Sequence, residues 1–600
     1  KSSLGKQTLR LFVIVLLLVS MIAAVPQLSS AGVDEGLPNK PLSVLAKEKY
    51  QGLRFRNTPV GRKVFTVTKV AEKKVATTIL EKLSSLPPEK KLPIIVQFDP
   101  STRPEDIGRG SSFLAGFTSQ FPAAVVTGYY PQVRAVEVEV TVNLVNVFAG
   151  LPRVVRIYDP LIKVEALNYY STQYHQAVIS WTYHSMGAGA VISILDTGWD
   201  GWSSYTGYGP HSDLQNLASP YTTITVRDFT GDTDTEPWHD WFGHGTHVAG
   251  IALGQGVVDS NEKGIGPQAK LMVGKVLTDD GWGYFEWVIR GLIWSAGIDP
   301  DTGLPTGLKA NVVSLSLGAP PSPGFGDGTY IAEQIIDEIA LQGTLAVCAA
   351  GNDGPYGYTV SVPASAKNSV AVAATLDDTA SPPSPWMVID FSSRGPTMDY
   401  RTKPDISAIG VDVTSTIPPD SFMFGPAWPP YYATASGTSM ATPQVSGGAA
   451  DLISGRPNAG TDSLKALLLS TWQTWLQDYD GSQPAPPNTA GHGFLQIDDS
   501  FHAEFFRGTV STVGQNVEYK FFIADPGIPI RVVLTWLDPS TSSLSPVYGS
   551  LIHDLDLYLV DPLGHVVASS VSARDNVEVI DFQPALDPFH GPHSVGIWKI

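Results

Sequence analysis

The rhythm of hydrophobic and polar positions divides the chain into unlike stretches. "AEKKVATTILEKL" is a Lys-rich helical piece, "KLPIIVQFDP" (91–100) is a short apolar strand, and "RAVEVEVTV" (134–142) alternates with period two. "VNLVNVFAGLPRVVRIYDP" continues as helix, turn and strand. These pieces predict a small α+β unit over 32–165. From Ala188 the pattern changes. "AVISILDTG" (190–198), "KLMVGKVL" (270–277), "NVVSLSLG" (311–318) and "TLAVCAAGN" (344–352) are nearly unbroken apolar runs, as strands buried on both faces must be. "FEWVIRGLIWSAG" and "IAEQIIDEIALQG" lie between them as helices. The pattern predicts a doubly wound α/β domain with a mostly parallel sheet over 166–502. In such sheets ligands sit beyond the carboxyl ends of the strands, where Asp196, the "SLG" of 316–318 and Asn352 fall. After residue 503 helices give way to "NVEYKFFIA", "IRVVLTWLD", "LDLYLVDPLG" and "HVVASS". Those short strands predict an all-β sandwich or jelly roll over 503–600. The closing "GIWKI" is patterned like the middle of a strand, so the sandwich is expected to be incomplete at Ile600.

The first 31 residues read differently. Lys1, Lys6 and Arg10 precede an apolar run, "LFVIVLLLVSMIAAV", too short to span a bilayer comfortably. A signal peptide cleaved after Ala24 or Ala31 is expected; an uncleaved anchor is the alternative. Composition narrows the rest. With 43% hydrophobic and 16% charged residues, the 600-residue chain can bury a large core. The formal charge of -18 disfavours nucleic acid and anionic lipid and suits cations such as Ca²⁺. Cys348 is the single cysteine, so no intrachain disulfide can form.

The candidate chemistry lies in Gly-rich turns. Asp196 ends a buried run in "ILDTGWD", and an Asp there commonly caps a turn. "GHGTHVAGI" holds His244 and His247 at the start of a small-residue helix. Two histidines three apart can bind zinc, but no HExxH pattern or third ligand accompanies them. "GTSMATPQVSGG" places Ser439 where a turn becomes a buried helix, as an N-cap or as a nucleophile at the helix's positive end. Together a carboxylate, an imidazole and a hydroxyl are the parts of a nucleophilic triad.

The segments "DTG", "HGTHVAG" and "GTSMATPQVSG", in the order Asp, His, Ser, resemble the subtilisin family of serine proteases across about 188–500. "HSDL", "AAGNDG", "FSSRGP" and "KPDISAIG" are also similar to family segments. His244 argues against a sedolisin-type relative, which would carry Glu there. The resemblance implies a catalytic set: Ser439 as nucleophile, His244 as general base and then acid, Asp196 orienting His244, and Asn352 with the Ser439 N–H as oxyanion hole. His247 is assigned to packing. It implies substrate edges at Gly281, Trp282 and Gly283 and at Ser316, Leu317 and Gly318, which pair with peptide backbone and give broad specificity. Gly351 and Gly354 would leave room for the residue before the cut. Trp282 departs from the small residue usual there. The unit over 32–165 resembles a propeptide, an intramolecular chaperone and inhibitor whose tail plugs the site, with cleavage between Leu161 and Ser171; a permanent N-terminal domain is the alternative.

The same resemblance implies structural calcium, with no cofactor for catalysis. Asp213 stands where family members use a ligand, although "VVDSNEKGIGP" replaces the usual partner loop. Asp554 and Asp556, two apart in "HDLDL", would share one face of a strand and favour a cation. The leading expectation is a secreted, monomeric serine endopeptidase made as a self-processed precursor, acting on proteins or peptides. An inactive binding or surface protein of the same fold is the alternative from another class; a metalloenzyme lacks a ligand set.

Overall fold

The computed structural model describes residues 74–600 except 167–185, 201–210, 216–224, 232–235, 237, 377–385, 428, 430, 472, 483, 526, 541–550 and 585–594. The expected signal peptide lies outside the described residues. The N-terminal module has strands β1 (Lys91–Phe98), β2 (Val125–Tyr130), β3 (Ala135–Thr141) and β4 (Val154–Tyr158). They form one antiparallel sheet in the order β2-β3-β1-β4. Helices α1 (Thr77–Ser85), α2 (Ser112–Gln120) and α3 (Val142–Ala149) accompany it. Val96, Val138, Phe148 and Ile157 are buried in the core of this module. Its other face, through Ile95, Tyr130, Val133 and Tyr158, belongs to a core shared with the next domain. The chain leaves the module as a short strand, β5 (Lys163–Ala166).

The central domain is built on β6 (Val191–Asp196), β7 (Val226–Asp228) and helix α4 (His244–Leu253). Then come β8 (Lys270–Lys275), β9 (Trp282–Tyr284) and α5 (Phe285–Ser295), followed by β10 (Val312–Leu315), β11 (Leu317–Gly318) and α6 (Ile331–Leu341). The domain continues with β12 (Leu345–Ala349), β13 (Val370–Leu376), β14 (Met387–Val388) and β15 (Ile406–Ile409). It ends with β16 (Val413–Thr416), β17 (Tyr432–Ala435), α7 (Thr438–Gly455), α8 (Thr461–Leu469) and β18 (Gln477–Asp478).

Strands β7, β8, β6, β10, β12, β13 and β15 lie side by side, every neighbouring pair parallel. Short β14 adds antiparallel to β13 and carries β18. The all-apolar strands are explained by burial on both faces: α4 and α7 cover one, α5 and α6 the other. From β6 the chain first builds outward through β7 and β8, then returns to β10 and builds the other way. The switch between β6 and β10 opens the crevice where a ligand belongs.

The C-terminal residues form β19 (Lys520–Ile523), β20 (Ile530–Thr535), β21 (Leu557–Val560), β22 (Val566–Ser570), β23 (Val577–Phe582) and β24 (Gly596–Lys599). The sheets are β19-β24-β21-β22 and β20-β23, and all pairs are antiparallel. Ile530 and Ile580 from one sheet meet Leu557, Leu559 and Trp598 from the other, which makes a two-layer sandwich. It docks onto the central domain through Val577, which joins that domain's apolar core, and through buried polar bonds. Lys367 Nζ donates to Asp538 Oδ2 at 2.6 Å and to Pro539 O at 2.5 Å. Asn368 Nδ2 donates to Asp538 O (2.9 Å), while Asn368 Oδ1 accepts from Asn576 Nδ2 at 2.9 Å.

Candidate active site

Asp196 is the last residue of β6 and His244 the first of α4. Both are buried, and His244 Nδ1 lies 2.6 Å from Asp196 Oδ1. The same oxygen accepts the Thr197 N–H at 2.8 Å. Two bonds to one oxygen fix the carboxylate and, through it, the ring. Such a partner on Nδ1 selects the tautomer whose Nε2 is an acceptor. His244 Nε2 has no hydrogen-bond partner.

Ser439 occupies the first turn of α7. Its Oγ donates to Ser316 O at 3.0 Å, and Ser316 Oγ donates back to Ser439 O at 2.9 Å. Ser316 follows β10, the neighbour of β6, so this reciprocal pair fixes the start of α7 to the edge carrying Asp196. Asn352 lies just beyond β12. Its Oδ1 accepts both the Thr438 N–H (3.0 Å) and the Thr438 hydroxyl (2.9 Å). Those donors determine which end of the amide is oxygen. Nδ2 is left buried without a partner, beside the first N–H groups of α7. A free amide donor and a helix N-terminus together suit a developing negative oxygen.

Sequence pattern does not single out Asp240, which is fully buried. Its Oδ1 accepts from Thr197 Oγ1 (2.6 Å) and the Gly243 N–H (2.8 Å). Its Oδ2 accepts from the Thr246 N–H and Oγ1, both at 2.7 Å. One carboxylate thus caps the helix bearing His244 and holds the turn bearing Asp196. The sequence signal is an acid just ahead of a helix start. Lys275, buried at the end of β8, donates from Nζ to Thr197 O (2.9 Å) and His239 O (3.0 Å) and is paired with Asp279. His247 packs as expected: it stacks on Phe424, with Nε2 3.0 Å from Ala433 O.

The two edges read as substrate-binding, β9 with Gly281, Trp282 and Gly283, and β11 beyond Ser316, stand apart and hold a strand between them. That strand is β5. It pairs antiparallel with both, Lys163, Val164 and Glu165 opposite Tyr284, Gly283 and Trp282, and Glu165 and Ala166 opposite Gly318 and Leu317. The glycines have packing reasons. A Cβ on Gly283 would meet Val276 O at 2.3 Å, and one on Gly318 the Ser361 Cβ at 2.8 Å. Gly351 has φ +111, and a Cβ there would strike Ser361 Oγ at 2.2 Å; at Gly354 it would strike Ser392 O at 2.2 Å. These two glycines serve the interior of their loop rather than open space.

The calcium expectations meet unsuitable surroundings. Asp213 Oδ1 accepts the Val257 and Val258 N–H groups at 2.7 and 3.0 Å, and Oδ2 accepts Tyr432 OH at 2.6 Å. Donors, not carbonyl oxygens, face that carboxylate, and a hard cation needs oxygen ligands. Asp554 and Asp556 do not share a strand face: both precede β21 and are exposed. The run turns to strand only at Leu557. Among the described residues no group of three or more His, Cys, Asp or Glu is arranged to hold a metal ion.

Fold and site together define an α/β protein with Asp, His and Ser gathered at the carboxyl edge of a parallel sheet, a peptide strand lying beside them. The model of the subtilase family matches residues 187–493. The serine protease AprX of Bacillus subtilis (strain 168) is 30% identical over 319 residues, covering 52% of this chain and 66% of the relative. A subtilisin of Bacillus sp. (strain TA39) is 36% identical over 296 residues, 48% and 62% of the two chains. A subtilisin of Bacillus pumilus is 30% identical over 291 residues, 48% of this chain and 84% of that one. The fold is similar to the crystal structure of fervidolysin from Fervidobacterium pennivorans, a keratinolytic enzyme related to subtilisin. The TM-score is 0.51 at 19% identity, over 85% of this chain and 74% of that one. The chain belongs to the subtilase family. It spans a little under two thirds of the length of the first two relatives.

Proposed function

We propose that this chain is the precursor of a serine endopeptidase that cuts itself and then other polypeptides. The observation that carries the reading is β5, a peptide held on both sides by backbone pairing and running toward Ser316, the residue bonded to Ser439. Ala166 is opposite Leu317, so a peptide continuing the ladder by one residue brings its next carbonyl to Ser316 and Ser439. In this sequence that residue is Leu167, outside the described residues. The self-cleaved bond is the one after Leu167, within the window 161–171.

For the chemistry, the Ser439 hydroxyl turns from Ser316 O to His244 Nε2, gives up its proton there and attacks the carbonyl. Hydrogen bonds of this kind often tighten only with substrate bound. Asp196 keeps the proton on Nδ1 and stabilises the imidazolium. The oxyanion is met by Asn352 Nδ2 and the Ser439 N–H. His244 Nε2–H then protonates the leaving amine, the acyl-enzyme forms, and water completes hydrolysis by the same proton transfers. The residues from 32 through Leu167 act as propeptide: after the cut, β5 remains as a bound product and inhibits. Backbone pairing along β9 and β11 supports acceptance of many sequences. The apolar run at 11–25 supports export, which leaves an extracellular monomer. Calcium is retained only at the exposed Asp554 and Asp556, to be checked by comparing melting of the double Asp→Ala variant with its parent in calcium and in chelator.

A fluorophosphonate probe tests the central reading. Wild type is expected to be labelled on Ser439 and to release a fragment ending at Leu167. Ser439→Ala should be neither labelled nor cut. A Ser439→Ala chain that matures unaided would overturn self-processing.

A further inference from the structure

Lys275 ends β8 directly beside Asp196, its partner in the parallel register with β6. Its side chain is buried, and its ammonium meets three acceptors. Nζ donates to Thr197 O at 2.9 Å and to His239 O at 3.0 Å, and it pairs with the Asp279 carboxylate. An ammonium has three N–H donors and no acceptor, so the three partners match its donors. A buried charge is costly unless it is paired and hydrogen-bonded in this way. All three acceptors are therefore fixed around one nitrogen.

The three acceptors belong to three loops with different tasks. Thr197 forms the turn after Asp196: its N–H donates to Asp196 Oδ1 at 2.8 Å, and its Oγ1 accepts the Gly245 N–H at 2.8 Å. His239 directly precedes Asp240, whose carboxylate caps α4 and so sets the start of the His244 helix. Asp279 lies in the turn leading to β9, where the Thr278 N–H donates to Trp282 O at 2.7 Å and the Gly281 N–H to Thr278 O at 2.9 Å. Strand β9 is the edge that pairs with β5. The Asp196 carbonyl accepts the Val276 and Leu277 N–H groups at 2.8 and 3.1 Å, so the backbone just after Lys275 binds Asp196 as well.

We propose that Lys275 is a positioning residue for peptide-bond cleavage: its buried ammonium ties the Asp196 turn, the segment ahead of His244 and the turn ahead of β9 into one body. The triad and the edge that holds the peptide are then set relative to each other by one side chain with no part in the chemistry itself. The inference rests on the peptidase reading and adds to it how the two halves of the site are aligned. Charge-assisted hydrogen bonds are the stronger kind, and two of these end on backbone carbonyls, so the loops themselves are held.

The test uses the full chain, matured to completion, and a fluorogenic peptide of sequence Lys-Val-Glu-Ala-Leu. Rates are expressed per Ser439 labelled by a fluorophosphonate probe, so misfolded protein does not count. Lys275→Met keeps the length of the side chain and removes the ammonium. It should lower kcat by about 10²-fold, the cost of a misplacement on the order of 1 Å, and raise KM. Asp279→Asn leaves the bonds to Thr197 and His239 in place and loosens the turn before β9, so it should raise KM severalfold with a much smaller change in kcat. In Lys275→Met combined with Asp279→Asn the charge imbalance is gone. Its melting temperature should return toward the parent's, while kcat stays low because both carbonyls remain unheld. Where Lys275→Met alone gives no labelled site, the double variant decides. A parental kcat in Lys275→Met, an unchanged KM in Asp279→Asn, or a kcat restored together with the melting temperature in the double variant would overturn the inference and leave the peptidase standing. A parent that neither hydrolyses the peptide nor is labelled on Ser439 would overturn the peptidase reading and this inference with it.

Discussion

At Asn352 a single amide has two unlike ends: Oδ1 is consumed by Thr438, and Nδ2 is left unbonded, the donor that the proposed mechanism gives to the oxyanion. Because that donor is needed only when charge develops on the carbonyl oxygen, Asn352→Ala should lower kcat by about 10²–10³ and leave KM nearly unchanged. That size is the one established for the equivalent donor in subtilisin itself. Steady-state kinetics on one peptide would check it; an unchanged kcat would remove Asn352 from the reaction. The meeting of Asp196 with His244 was readable in the sequence, since acid, base and nucleophile must be particular residue types in tight turns. Asp240 was not. Its role depends on Thr197, 43 residues away in sequence, a proximity that only the fold creates. Asp213 shows the converse: a residue type that suits calcium, surrounded by donors that do not.

Helix α4 carries His244, and its placement depends on one close approach. A Cβ on Gly245 would meet Gly198 O at 2.3 Å and the Asp196 Cβ at 3.2 Å. Gly245→Ala must therefore move the helix away from the Asp196 turn. Displacements of this order cost about 10²-fold in rate, so kcat should fall at least that far while the parallel sheet, followed by circular dichroism, persists. A parental kcat would show that the turn yields instead of the helix. Long apolar strands were legible at this scale because burial on both faces leaves an unbroken hydrophobic run. β5 and β9 were not legible as strands: three or four residues are too few to show a period, and only pairing creates them; β11 fell within the apolar run of 311–318.

Across the whole molecule, the N-terminal module covers α5 and α6 and encloses Glu286 beside Glu137. Burial first, then the charge of Glu137, pushes the Glu286 carboxyl up to about 7 from 4.5, against the pull of Arg290. A carboxyl whose pKa is raised on assembly favours the assembled form fully below about 4.5. That contribution is lost as the pH climbs through about 7. The Ser439→Ala precursor should therefore melt at higher temperature at pH 5 than at pH 8, and Glu286→Gln should flatten the difference; equal melting at both values in the parent would refute it. At the other end of the molecule, Asp538→Ala would leave Lys367 buried without its counterion. Stability should fall by about 3–5 kcal/mol, read by denaturant unfolding, with kcat at low temperature near the parent's. Sequence composition announced a β sandwich but not the polar latch that fastens it, because Lys367 and Asp538 lie 171 residues apart.

The strand filling the groove is encoded by the same gene as the groove. On the proposed reading, an inherited change in β9 or β11 alters both how other peptides bind and, in the same molecule, how Lys163–Ala166 pairs. On that reading a shift in substrate cannot reshape these edges freely: each variant must still accommodate its own four-residue strand, or gain a matching change in it. Drift at the two places is thereby coupled, and paired substitutions at the tail and the edges are what a comparison of descendants should contain.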